Sequence, residues 1–256
     1  MTHPRKRAER WAQADLLAPL PSSATAARSP PALLQPVAPA VEPPPRAAQA
    51  ELWCALYLPQ LCLDAVLCAD LVLRAEPERP VGVLDPEAGL PRLVAVNAAA
   101  RALGVQAGMS LAAALATCPQ LQARTRDRRQ ERLRLVALAE AALAFTPRVS
   151  LEPPDELLLE LQGSLRLFGG LEVLAEQLRH SAWRLGLTAR LAVAPTPRAA
   201  LAGARGARGF CVQHEAQLAG QLAPLPIAVL RWPEAACARL QSMGVRTLGE
   251  LLRLPR

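Results

Sequence analysis

No Cys-x-x-Cys pair occurs in this chain, and none of its three histidines lies near any two of its six cysteines at a zinc-binding spacing. That pattern argues against a structural zinc site and a disulfide framework. The cysteines, at 54, 62, 68, 118, 211 and 237, fall mostly inside apolar runs and read as buried, reduced thiols. A cytoplasmic location is the expectation that follows. No apolar run approaches the roughly 18 residues needed to cross a bilayer, and the basic start MTHPRKRAERW is followed by no signal-peptide core.

What is present is a globular composition, 52% hydrophobic and 20% charged over 256 residues, enough for one large or two modest domains. The formal net charge of +7 favours an acidic partner, nucleic acid being the commonest. Nearly all the cations are Arg against a background of Ala, Leu and Pro, which a GC-rich genome also writes without selection for DNA binding. Charge alone therefore does not decide. Residues 1–50 are Pro-, Ala- and Ser-rich and are expected as a disordered arm, because burial there cannot offset ordering entropy. Within it, Arg5 to Leu17 could form a short amphipathic helix.

From Trp53 the pattern changes. WCALYL reads as a buried strand, followed by a helix from about Leu63 to Leu73 and a strand at Val81 to Leu84. Leu93 to Val96 reads as a strand, Ala98 to Leu103 as a helix stopped by Gly104, and Ser110 as the cap of a helix ending before Pro119. Arg128 to Phe145 reads as a long amphipathic helix with Leu133, Val136 and Leu143 on its apolar stripe. Strand 156–161, helix 170–184, strand 189–194 and helix 198–205 follow, an alternation that predicts an α/β or α+β layer around one sheet. Beyond Phe210 the strands stop, and Glu234 to Ser242 and Thr247 to Leu254 read as two short helices around Gly244.

Four of these segments, in order, resemble the Y-family (UmuC-like) translesion DNA polymerases. They are Val96-Asn97-Ala98-Ala99-Ala100-Arg101 with Gly104-Val105, Gly108-Met109 and Cys118-Pro119-Gln120-Leu121; Glu156 to Gly170; Leu187 to Leu201; and Leu240 to Pro255. The resemblance implies an α+β fold: a ferredoxin-like palm with inserted helical fingers over 51–209, then a small helix-hairpin-helix-like thumb over 210–256. The family continues from there into a little-finger domain, so LRLPR reads as the end of a truncated product or of a fragment.

Nucleotidyl transfer in that family needs two divalent cations held by carboxylates. Laying LYLPQLCLD on the family's first-strand string puts Pro59 and Leu61 at the two carboxylate positions. The later acidic pair keeps its type as Asp155 and Glu156, expected as solvated acids at a strand start and at most a half-site for Mg²⁺. The fingers aromatic is Ala98, while its Arg is retained as Arg101. The family's palm lysines are absent from Thr196 to Leu201, where Arg198 is a displaced remnant. The thumb's G-x-G hairpin is replaced by Arg231-Trp232-Pro233. Arg231, Trp232, Gly244, Arg246 and Arg253 are the candidate DNA contacts, with the second thumb helix presenting backbone N–H groups to phosphate; for Trp232 a core anchor is the competing reading.

These losses most resemble the catalytically defective ImuB class of bacterial mutagenesis cassettes. The class implies a polymerase-shaped adaptor for damage-induced mutagenesis, with DNA, an error-prone polymerase, a RecA-like accessory protein and the sliding clamp as partners, and with no cofactor. Two alternatives stay open. One is an active polymerase that uses Mg²⁺ with Asp155, Glu156 and a third carboxylate such as Asp64 or Asp85; the other is a plain basic DNA-binding module.

Overall fold

The computed structural model describes residues 51–86, 91–206 and 208–254; the N-terminal arm and the Arg5 to Leu17 helix lie outside them. The elements run β1 (Trp53–Tyr57), α1 (Leu61–Ala69), α2 (Leu71–Ala75), β2 (Val81–Asp85), β3 (Arg92–Val96), α3 (Ala98–Ala102), α4 (Leu111–Thr117), β4 (Gln122–Thr125) and α5 (Arg128–Ala142). They continue with β5 (Val149–Glu152), β6 (Glu156–Glu160), α6 (Leu171–Arg184), β7 (Arg190–Ala194), α7 (Pro197–Arg205), α8 (Glu215–Leu222), a 3-10 turn at Ile227–Leu230, α9 (Glu234–Ser242) and α10 (Leu248–Leu252). Among the described residues no helix is long and apolar enough to cross a membrane.

There are two sheets, not the one expected. The palm sheet has the order β5-β6-β1-β7 with every neighbouring pair antiparallel, the ferredoxin-like arrangement in which α5 and α6 make the crossovers. The inserted segment builds its own sheet, β3-β2-β4, with β2 antiparallel to β3 and parallel to β4. The fingers are therefore mixed rather than purely helical. The strand β4 escaped the sequence reading because Gln122-Ala123-Arg124-Thr125 has neither an apolar run nor alternation.

Alternation along the palm strands divides the core in two. Cys54 and Leu56 of β1 join Leu157 and Leu159 of β6 under α5 and α6, while Ala55, Leu158, Ala192 and Ala194 face α7. The second face is lined with small side chains, and α7 answers with Ala199, Ala200 and Ala204, so helix and sheet approach closely. A Cβ on Gly203 of α7 would sit 2.6 Å from the Phe210 ring and 2.8 Å from the Ala192 Cβ. This close fit brings the C-terminal end of α7 against the sheet.

Caps set the element ends. Asn97 Oδ1 accepts from Ala100 N at 2.9 Å and from Val81 N at 3.0 Å, stitching α3 to β2. Ser110 caps α4 through Ala113 N. Asp70 caps α2 through the amides of Val72 and Leu73, and so divides the single expected helix into α1 and α2. On α5 the buried face is Glu131, Leu135, Leu138, Ala139 and Ala142, whereas Leu133 and Leu143 are exposed. The expected stripe was rotated because Glu131 is buried rather than solvated. Of the cysteines, only Cys54 and Cys118 are fully buried and Cys211 is exposed; all six are free thiols.

Candidate functional site: an arginine-bound acidic pair

Asp155 and Glu156 stand where the β5–β6 turn enters the palm sheet; Asp155 is half-buried and Glu156 is buried. Glu156 is 1% exposed because it opens the apolar run Leu157-Leu158-Leu159, buried on both faces. A carboxylate in that position requires a cation and hydrogen bonds. Arg205, delivered by the close seat of α7, provides both: Nε donates to Oε1 at 2.7 Å and Nη2 to Oε2 at 2.6 Å. Its remaining Nη1 donates to the Val229 carbonyl at 2.8 Å, which joins palm and thumb.

Arg231 completes the cluster. Nη2 donates to Asp155 Oδ2 at 2.9 Å, and Nη1 lies 2.7 Å from Asp155 Oδ1 and 3.4 Å from Glu156 Oε2. Its guanidinium carbon also stands 5.3 Å over the Tyr57 ring. Burial disfavours the charged form, but the Asp155 hydrogen bond and the charges of Glu156 and Asp155 outweigh it and hold Arg231 above its ordinary range. Arg231 has a left-handed backbone with φ of 53°, a conformation costly for a residue with a Cβ; these contacts offset that cost. Its guanidinium, expected as a DNA contact, is engaged by the acidic pair while a third of the side chain stays exposed.

The first strand stops short of both family carboxylate positions. The strand β1 ends at Tyr57, which the register places opposite Glu156. Pro59 lies beyond it, and Leu61 starts α1 as a core residue, 4% exposed. The first-strand side chain against the acidic pair is therefore Tyr57, which is no carboxylate either. The alternative third carboxylates are spent elsewhere. Asp64 is buried and accepts from Thr188 N at 2.7 Å, with burial pushing its carboxyl above the usual range despite the Thr188 hydrogen bonds. Asp85 pairs with Arg126 at 3.2 Å and Arg128 at 3.4 Å in the fingers. Among the described residues no three His, Cys, Asp or Glu side chains converge to hold a metal ion. The donor set beside Asp155 consists of arginines and a tyrosine, and it does not fit a pair of divalent cations.

The nucleotide-phosphate remnants, Arg101 and Arg198, are both exposed. Arg101 Nη1 donates to the Val96 carbonyl at 3.1 Å, and Arg198 lies in the first turn of α7. In the thumb, Gly244 has φ of 85° and follows the end of α9, and Arg246 and Arg253 are exposed. Trp232 is 44% exposed, which corrects the core-anchor reading. The backbone-amide phosphate site is also corrected. Glu250 Oε2 accepts from Arg246 N at 2.7 Å and Thr247 N at 2.9 Å, so a carboxylate of α10 itself occupies those donors. These two hydrogen bonds lower the Glu250 carboxyl below its ordinary value.

A profile of the impB/mucB/samB family matches residues 67–204, more than half of the chain. The chain belongs to the impB/mucB/samB family. It is 34% identical over 154 residues to Protein ImuB of Caulobacter vibrioides, covering 60% of this chain and 34% of that protein. It is also 29% identical over 163 residues to DNA polymerase IV of Yersinia pseudotuberculosis, covering 62% of this chain and 46% of that one. The chain thus spans between a third and a half of these relatives. Its fold matches an insertion ternary complex of Dbh DNA polymerase with a TM-score of 0.62 at 17% identity, over 80% of this chain and 61% of that one. It matches DinB from Sulfolobus solfataricus with a TM-score of 0.59 at 16% identity, over 80% and 60%. Y-family membership and the palm architecture are thereby shown.

Within this impB/mucB/samB chain, Arg205, Tyr57 and Glu250 carry the site without having been singled out from sequence. A signal existed for one of them. A glutamate opening a run of leucines is buried by its neighbours, and a buried glutamate calls for an arginine. Which arginine answers, 49 residues along the chain, only the seating of α7 decides.

Proposed function

We propose that this chain is a polymerase-shaped adaptor in DNA damage tolerance and does not itself transfer nucleotides. The observation that carries the reading is the arginine-bound acidic pair, with Asp155 and Glu156 ion-paired to Arg205 and Arg231 and no carboxylate facing them from β1. The similarity to Protein ImuB supports it. DNA is the expected partner, held weakly through phosphate contacts, and damage-induced mutagenesis is the expected process. An error-prone polymerase, a RecA-like accessory protein and the sliding clamp belong to the proposal as protein partners. A cytoplasmic location belongs to it as well.

Primer extension tests this reading. Purified chain given a primed template, all four deoxynucleotides and Mg²⁺ or Mn²⁺ is expected to leave the primer unextended. Template-directed extension that disappears in Asp155→Ala would establish the active-polymerase alternative instead.

A further inference from the structure

The N-terminal half of α5 runs beside β5, the outer strand of the palm sheet. Between them lies a groove of about 320 Å³, floored by Leu135, Val136, Leu151, Pro153 and Pro154. Leu151 is 42% exposed there although it is a strand residue. Single exposed leucines need no explanation, but this apolar surface is continuous and concave, and its rim is cationic. Arg128 and Arg132 line it together with Glu131. Both Glu131 oxygens are taken by Arg126, at 2.6 and 2.8 Å, so its negative charge is compensated. Arg128 pairs with Asp85. Arg132 is exposed and has no ion-pair partner among the described residues.

We propose that this groove docks an acidic, apolar peptide segment of a partner protein. Apolar side chains of the peptide cover the Leu, Val and Pro floor, and a carboxylate takes the planar guanidinium of Arg132, whose donor fork matches it bidentately. The lining contains no aromatic ring, so it lacks the stacking platform on which single-stranded nucleic acid sites depend. A second copy of the chain is disfavoured by its net charge of +7, which would face an arginine rim with more cations. The inference concerns a surface separate from the acidic pair and stands whether or not the palm transfers nucleotides.

The test uses the full chain and a panel of fluorescein-labelled synthetic peptides that permute Asp or Glu with Leu, Phe or Met, read by fluorescence anisotropy. Lysine-substituted counterparts and an oligothymidylate competitor complete the set. Acidic-apolar peptides are expected to bind, and their affinity to fall about tenfold or more in Arg132→Glu and in Leu151→Asp. The lysine counterparts are expected not to bind. Both substituted side chains are exposed, so circular dichroism should show unchanged folding. Absence of binding across the panel, affinity unchanged from the native chain in both variants, or displacement of the peptide by oligothymidylate overturns the proposal, the last by making the groove a nucleic-acid site.

Discussion

At the scale of single residues, each buried carboxylate among the described residues has a partner, and the choice of partner decides the chemistry. Glu156 with Arg205 is a closed, bidentate pair; removing either member would strand the other, which costs about 3–5 kcal/mol in comparable buried pairs. Asp64 is handled differently, by hydrogen bonds from Thr188 without a cation. Its folded carboxyl is raised above the ordinary value of 3.8. Unfolding therefore releases a stronger acid, and stability is lost as pH rises from about 4 through the raised folded value. Asn at this position keeps an acceptor for Thr188 N and cannot ionise. Asp64→Asn should thus flatten the rise in melting temperature as pH is lowered from 7 towards 4, and at pH 7 be neutral or stabilising; calorimetry at several pH values checks this, and an unchanged pH profile contradicts it.

At the scale of elements, the caps were legible and the tertiary surroundings were not. Ser110 and Gly104 mark their helix ends by local backbone chemistry, which sequence carries directly. The division at Asp70, the strand β4 and the face of α5 depend on what each segment packs against. For α5, ion pairing of Glu131 with Arg126 makes a glutamate a core residue and turns Leu133 outwards. Leu133→Glu is accordingly expected to change unfolding free energy by less than about 0.5 kcal/mol. Leu138→Ala, at a site 1% exposed, is expected to cost about 2–5 kcal/mol. Urea unfolding of the two variants separates the observed face from the expected one, because the expected stripe reverses the order.

At the scale of the whole molecule, positive charge is abundant but unequally available. Arg205 and Arg231 are ion-paired to the acidic pair, and Arg126 is held by Glu131 and Asp85, whereas Arg246 and Arg253 face solvent. With the thumb amides taken by Glu250, DNA binding is expected to be weak, indifferent to sequence and steeply salt-dependent. Arg246→Ala should lower the slope of log affinity against log salt by roughly one unit, while Arg231→Ala should leave it unchanged. Equal slopes for both variants, measured by anisotropy across salt concentrations, would contradict this division. The acidic pair itself was legible from its motif; what it does was not, because its partners are brought in by α7 and by the turn before α9.

The central claim is that Asp155 and Glu156 are engaged by arginines instead of serving as ligands to divalent cations. Electron paramagnetic resonance of Mn²⁺ titrated into the intact chain, compared with folded Asp155→Asn, tests it most directly. The account predicts superimposable isotherms, since Asp155 contributes no cation site. A saturable Mn²⁺ site in the native chain that vanishes in Asp155→Asn would show that the arginines yield to metal, and would contradict the account.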